Sequence, residues 1–156
     1  MEKSEIVRAL EEMAEILELT DANPFQIMAY RNGAQNLEEF DGDLLEAVQQ
    51  KTLTEIPGIG KGLSAMISDL VLRGRSDECE RLRSLLPGKL RDLLRVPRLG
   101  PKRIRRLHEE LGVDSVEALE AAARAGLIRT LRGFGAKSEE EILRGIESAR
   151  RHGRIS

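Results

Sequence analysis

One stretch of the chain carries the signals of a tight reversal between two helices: Leu53-Thr54-Glu55-Ile56-Pro57-Gly58-Ile59-Gly60-Lys61-Gly62-Leu63. Pro57 has no amide hydrogen and ends any helix before it, while Gly58 and Gly60 can adopt positive φ and expose bare backbone. Helical spacing of the apolar residues that follow predicts a second helix. Its first N–H groups are free and lie where the helix dipole favours an anion, so the natural ligand is a phosphate.

The same pattern occurs twice more. The second copy is Leu93-Leu94-Arg95-Val96-Pro97-Arg98-Leu99-Gly100-Pro101-Lys102, and the third is Leu131-Arg132-Gly133-Phe134-Gly135-Ala136-Lys137. The equivalent glycines Gly60, Gly100 and Gly135 are 40 and 35 residues apart. Intervals of this size are typical of a repeated supersecondary unit. The chain is therefore predicted to contain three copies of one unit, two helices joined by a tight turn.

Composition favours helices throughout. The 156 residues are 40% hydrophobic but only 3% aromatic, and no run of alternating β-branched residues is present. We predict an all-α fold of two small helical subdomains. The first, residues 1–86, contains the first turn, and the second, residues 87–156, contains the other two. Pro87-Gly88 is interpreted as the boundary between them.

Several helix ends can be predicted from capping residues. Asn23 with Pro24 begins one helix, Asp43 caps the next, and Ser115 caps a third. A short charged helix is predicted from about Glu78 to Leu86. Ser138 and Glu141 have the spacing of a capping box and are predicted to begin the last helix.

The cysteine and histidine content excludes two kinds of site. Cys79 is the single cysteine and cannot form an internal disulfide, and His108 and His152 are too far apart for a zinc motif. No apolar run reaches the length of a membrane span and no signal peptide opens the chain, so we expect a cytoplasmic protein with no membrane partner. No feature indicates a small-molecule substrate.

Positive charge is concentrated around the first two turns. Residues 1–50 carry 3 basic and 12 acidic residues, whereas residues 51–110 carry 14 basic and 8 acidic. A cluster of cations surrounds the second turn: Arg95, Arg98, Lys102, Arg103, Arg105 and Arg106. These can be a phosphate-tracking surface, which we favour, or a solvated helix face paired with Glu109 and Glu110.

These motifs, together with Asn23-Pro24-Phe25 and Ala29-Tyr30-Arg31, resemble the amino-terminal region of bacterial family-X DNA polymerases. The resemblance covers essentially the whole chain. It implies a small helical domain and a fingers-like domain built on helix-hairpin-helix motifs, which bind DNA during gap filling in repair. The family's palm domain, with its three metal-binding aspartates, follows this region and is absent from the sequence. We therefore predict no catalytic residue in this chain, and interpret Asp41 and Asp43 as helix-entry residues.

A second activity of the family is a deoxyribose-phosphate lyase that uses a lysine on the helix after the first hairpin. Met66 occupies the matching position here, and Lys61 is the nearest lysine. The resemblance thus disfavours lyase activity. Tyr30 matches a tyrosine of the family's pocket for a 5′-phosphate at a gap, although Gln26 and Gly62 stand where lysines are expected. Tyr30 can equally be a core residue.

The resemblance also implies how the hairpins contact DNA. The N–H groups of Gly58, Gly60, Lys61 and Gly100 would bind phosphates, with Arg98, Lys102 and Arg103 adding charge beside the second turn. Arg98 replaces the first glycine of that turn and is expected to narrow it. Backbone carbonyls would hold a monovalent cation, Na⁺ or K⁺, that bridges to the phosphate. These carbonyls are those of Thr54, Ile56 and Ile59 in the first turn and Leu94, Val96 and Leu99 in the second.

The leading hypothesis from the sequence is therefore sequence-nonspecific binding of gapped or duplex DNA through backbone phosphates. A rival is a protein-interaction module, because the acidic first 50 residues suit a basic partner. The lyase is the third and least favoured alternative.

Overall fold

The computed structural model describes residues 1–87 and 89–156, and every regular element in those ranges is helical. The all-α prediction is confirmed. Three 3₁₀ helices, Leu53–Glu55, Leu90–Arg95 and Ile128–Thr130, each precede one of the repeated turns. The α-helices in order are α1 (Lys3–Leu19), α2 (Pro24–Glu39), α3 (Leu44–Gln49), α4 (Lys61–Arg73), α5 (Asp77–Arg83), α6 (Pro101–Leu111), α7 (Val116–Arg124) and α8 (Ala136–Arg151).

The chain divides into two compact units, Met1–Leu85 and Leu86–Ser156. Gly88, half of the dipeptide interpreted as the boundary, lies outside the described residues. In the first unit α1 packs mainly along α2 and also contacts α4 and α5. Apolar residues on the buried side of α1 recur at helical spacing, so this one helix supplies much of an aliphatic core: Ile6, Leu10, Met13, Ile16 and Leu17.

The second unit is built around the pair α7 and α8, against which the 3₁₀ helices Leu90–Arg95 and Ile128–Thr130 pack. Its fully buried side chains are also aliphatic: Leu93, Ile104, Leu107, Leu119, Ile128 and Ile146. Each of the repeated turns therefore lies between a 3₁₀ helix and an α-helix whose buried faces hold the turn in place.

The predicted caps are mostly confirmed. Asn23 Oδ1 accepts a hydrogen bond from the Phe25 N–H at 2.8 Å, and Asp43 Oδ1 accepts one from the Glu46 N–H at 3.1 Å. Ser115 caps α7 in the same way.

One predicted helix start differs from the observed one by a single residue, and another is wrong. Helix α5 begins at Asp77, one residue before Glu78, because the buried Ser76 is its cap. Helix α8 begins at Ala136, two residues before Ser138, because Gly135 takes the N-cap position as Gly60 and Gly100 do before α4 and α6.

Glu139 ties the third turn to α8. Only 2% of this residue is exposed. Its carboxylate accepts hydrogen bonds from the backbone N–H of Arg129 at 2.7 Å and from Arg129 Nε at 2.8 Å. These bonds hold the pKa of Glu139 below its usual value, the guanidinium contributing most. The pair fixes the 3₁₀ helix Ile128–Thr130 against the first turn of α8.

Acid should therefore weaken the second unit partly through Glu139. A carboxyl whose folded pKa is lowered adds stability above its unfolded pKa of 4.5 and loses it as the pH falls through the folded value. In Glu139→Gln the amide does not titrate, so the melting temperature should fall less steeply with acid than that of the wild type. Glu140→Gln, at an exposed position of the same helix, is the control. Equal acid dependence in wild type and Glu139→Gln would contradict this role.

Candidate nucleic-acid interface

The three turns share one backbone geometry. In each, the N–H of the fourth residue donates to the carbonyl of the first: Ile59 to Ile56 at 3.1 Å, Leu99 to Val96 at 3.3 Å and Phe134 to Leu131 at 3.0 Å. The third residue of each turn has positive φ, as a type II turn requires. The values are +80° for Gly58, +67° for Arg98 and +88° for Gly133.

Arg98 therefore adopts a glycine conformation. The sequence suggested a narrower second turn, but the turn hydrogen bond and the sign of φ match those of the other two turns. For a residue with a Cβ this left-handed conformation costs about 1–2 kcal/mol. The second turn thus keeps its shape at the expense of strain in Arg98.

The helices that follow the turns lack side-chain caps. Gly60, Gly100 and Gly135 occupy the N-cap positions of α4, α6 and α8, and none of these helices has a side-chain cap hydrogen bond. By contrast α2, α3, α5 and α7 each begin with a side-chain cap. In α4, α6 and α8, therefore, no N-cap side chain bonds the first N–H groups, and an acceptor from outside the helix can bond them.

Neither backbone nor packing requires glycine at these three N-caps. All three have negative φ, and no atom lies within 4 Å of the position that a Cβ would take. The space over Gly60, Gly100 and Gly135 is open, so an anion can reach the first helical amides without meeting a side chain. This arrangement is what phosphate binding at a helix N-terminus needs.

The turns present their backbone while their flanking side chains anchor them. Gly58, Gly60 and Lys61 are exposed in the first turn, as are Arg98, Gly100 and Lys102 around the second. Ile59 and Leu99 are buried between these positions. The glycine amides of both turns are therefore accessible to a ligand in solvent.

Helix α2 packs closely against the first turn and the start of α4. A Cβ at Gly33 would lie 2.6 Å from Leu63 Cδ1, and one at Gly58 would lie 2.7 Å from Asn36 Nδ2. Sequence analysis did not identify Asn36 or Gly33, because contacts between α2 and the turn join residues more than twenty positions apart.

A pocket of about 400 Å³ lies beside the first turn. Tyr30 is one of its walls although only 7% of the residue is exposed, so Tyr30 is both packed and part of the pocket. Burial, and secondarily the Glu78 carboxylate, raises the pKa of Tyr30 to about 12. Glu78 is paired with Arg81 at 2.6 Å. The full lining is Ala29, Tyr30, Gly58, Gly60, Gly62, Leu63, Met66 and Glu78, and none of these described residues is a lysine.

Some residues of the basic cluster around the second turn pack against the third turn, and others are exposed to solvent. The guanidinium groups of Arg103 and Arg106 lie 5.1 and 5.3 Å from the centre of the buried Phe134 ring. Arg106 also donates to Glu110 and to the carbonyl of Arg132. These two arginines therefore fasten the third turn onto α6. Lys102 stays exposed, and Arg98 points into solvent with 80% of its side chain accessible.

Two of the six carbonyls predicted to hold a cation, those of Ile56 and Val96, already accept one hydrogen bond each, the turn hydrogen bond. A carbonyl oxygen has a second lone pair, so both can still coordinate. Within residues 1–87 and 89–156, no group of three or more His, Cys, Asp or Glu residues could hold a metal ion.

Tyr30 is the single tyrosine and the chain has no tryptophan, so its ionisation can be followed alone by ultraviolet absorbance. We expect the folded protein to titrate with a midpoint near 12, against about 10 for the urea-unfolded chain. The physical reason is that burial disfavours the phenolate. A folded-state midpoint near 10 would mean that Tyr30 is not buried as described.

Comparisons with known proteins agree with this geometry. Residues 1–76 match a family model described as a helix-hairpin-helix domain, and residues 90–148 match one described as a SAM-like helix-hairpin-helix tandem. The chain is 40% identical over 149 residues to a protein of Bacillus subtilis (strain 168) named DNA polymerase/3'-5' exonuclease PolX.

In the part of the chain that the structure describes, no helix has both the length and the apolar character needed to cross a bilayer.

The alignment with the Bacillus subtilis protein covers 96% of this chain but only 26% of that relative, whose amino-terminal region it matches. Both halves of the chain therefore match helix-hairpin-helix domains, and its sequence is similar to the amino-terminal region of a bacterial DNA polymerase/3'-5' exonuclease.

Proposed function

We propose that this chain binds DNA without reading its sequence, by holding backbone phosphates at its hairpin turns. The observation that carries the proposal is that the helices after the turns begin without side-chain caps, under open N-cap glycines. Free amides at a helix N-terminus match a phosphate in charge and geometry. Phosphates are the same at every base pair, so contacts of this kind position the protein without specifying sequence.

In the first turn the amides of Gly58, Gly60 and Lys61 would bind one phosphate, with the exposed Lys61 ammonium beside it. In the second turn the amide of Gly100 would do the same. Pro101 has no N–H, which leaves fewer amides there than in the first turn. The exposed charges of Arg98 and Lys102 compensate for this difference, whereas Arg103, stacked on Phe134, would act at longer range.

A monovalent cation, Na⁺ or K⁺, would be held by the carbonyls of Thr54, Ile56 and Ile59, and a second by those of Leu94, Val96 and Leu99. Carbonyl oxygens are suitable ligands for such ions. A bound cation would neutralise charge on the phosphate above it.

The relative's name describes a polymerase and exonuclease, and this chain would serve as the DNA-holding part of such an enzyme during gap filling. Tyr30 would then face a strand end near the first turn. The lyase alternative has little support, because Met66 is buried and the pocket lining offers no primary amine.

Binding should be strongly salt-dependent. Contacts to roughly three to five phosphates would give a slope of about −3 to −4.5 for log K against log salt concentration. Fluorescence anisotropy with gapped and intact duplexes of several sequences, at a series of KCl concentrations, measures this slope. No salt-sensitive binding to any duplex would end the proposal.

A serine at the first N-cap should separate folding from binding. In Gly60→Ser the hydroxyl would cap the free amides of α4, so stability should rise by a few tenths of a kcal/mol. The same cap competes with the phosphate, so DNA affinity should fall by a similar free energy, about twofold. Gly60→Ala adds a Cβ in the same open space without a cap, and is the control. Equal DNA affinity in Gly60→Ser and Gly60→Ala would show that these amides do not hold the phosphate.

A further inference from the structure

A groove of about 270 Å³ lies between the second turn and α8. Two arginines and one serine line it, together with a single carboxylate. The complete lining is Pro97, Arg98, Glu141, Arg144, Gly145 and Ser148. Glu141, Arg144, Gly145 and Ser148 recur at helical spacing, so they form one face of α8 opposite the turn.

The two walls of the groove are in direct contact. A Cβ at Gly145 would lie 3.1 Å from Val96 Cγ1 and 3.3 Å from the Pro97 carbonyl oxygen. Gly145 thus lets the turn rest on the helix backbone, closer than most residues would allow. The spacing between Arg98 and the side chains of α8 is set by this contact rather than by flexible side chains.

Arg98 is an unexpected residue for its position. The other two turns have glycine at the equivalent positive-φ position, and the fold itself favours glycine there. The Arg98 side chain is 80% exposed, and its contact with Glu141 is 4.0 Å, at the outer limit of an ion pair. Backbone strain in an exposed charged residue points to a ligand rather than to packing.

Arg144 is equally available. Its side chain is 73% exposed and pairs with Glu140 of its own helix at 3.3 Å. Exposed pairs of this kind are weak and exchange readily for a better partner. The Ser148 hydroxyl lies 3.5 Å from His152 Nδ1, at the limit of a hydrogen bond, and can donate to an oxyanion instead.

We propose that the groove binds a second phosphate of the DNA strand held at the second turn. The Arg98 and Arg144 guanidinium groups would grip its oxygens, since arginine matches phosphate in planar, two-point geometry. Ser148 would donate a third bond. In the free protein Glu141 lies in the place of the phosphate and holds Arg98 weakly. This inference rests on the proposed DNA binding and adds a site that the turn amides do not supply.

The first test compares Arg144→Gln with the matched control Arg124→Gln. Both arginines are exposed and pair with a glutamate four residues earlier in a helix of the second unit. Arg144→Gln should weaken duplex binding several-fold and make the salt slope shallower by about 1, while Arg124→Gln changes neither. Equal effects of the two variants would overturn the proposal that the groove binds a phosphate. If the wild type still bound duplex in a salt-dependent way, the proposal that the turns bind phosphates would stand.

The second test uses Glu141. Glu141→Gln removes the competing carboxylate and should raise affinity about threefold. The gain should be smaller in an Arg98→Gly background, because part of it comes from releasing that guanidinium. Arg98→Gly suits the backbone and should fold, which circular dichroism and melting temperature check. A gain of the same size in both backgrounds would be a general charge effect and would overturn the inference.

Discussion

Free backbone amides at helix N-termini are the constraint on which the rest of this structure depends. A helix gains stability when its first N–H groups are bonded, and this chain supplies side-chain caps to α2, α3, α5 and α7. It withholds them from the helices that follow the repeated turns. To keep such ends at the surface, the turns must be held from beneath. The buried Ile59 and Leu99 provide this support beside exposed glycines.

The two units support their turns differently. In the first unit the support is steric, because α2 approaches the turn through Gly33 and Asn36 and leaves an apolar pocket beside Tyr30. In the second unit much of it is electrostatic. Arg129 is bonded to Glu139, and Arg103 and Arg106 stack on Phe134. Several arginines of the second unit therefore stabilise the fold. Fewer of its cations are available to bind a ligand than the sequence contains.

Local chemistry made much of this fold predictable. Pro57 and the paired glycines fixed the turns, and Asn23, Asp43 and Ser115 fixed helix starts, since each acts on backbone within a few residues. The capping-box spacing of Ser138 and Glu141 is also local, but it predicted the wrong start for α8. The equivalence of Gly135 to Gly60 in the repeated turn gives the correct start. The Arg103–Phe134 contact, the support of Gly58 by Asn36 and the groove of Arg144 join residues distant in sequence. No spacing rule could have revealed them.

Under the proposed DNA binding, the positive φ of Arg98 means that the arginine favouring phosphate affinity costs backbone stability at the same residue. Glycine would relax the backbone there, so a screen for heat resistance alone would favour losing the arginine. The charge would disappear with it, and the more robust protein would be the poorer partner for a polyanion. Consensus substitution, or screening for a higher melting temperature, therefore suits a protein with such a strained basic turn only when ligand affinity is selected at the same time.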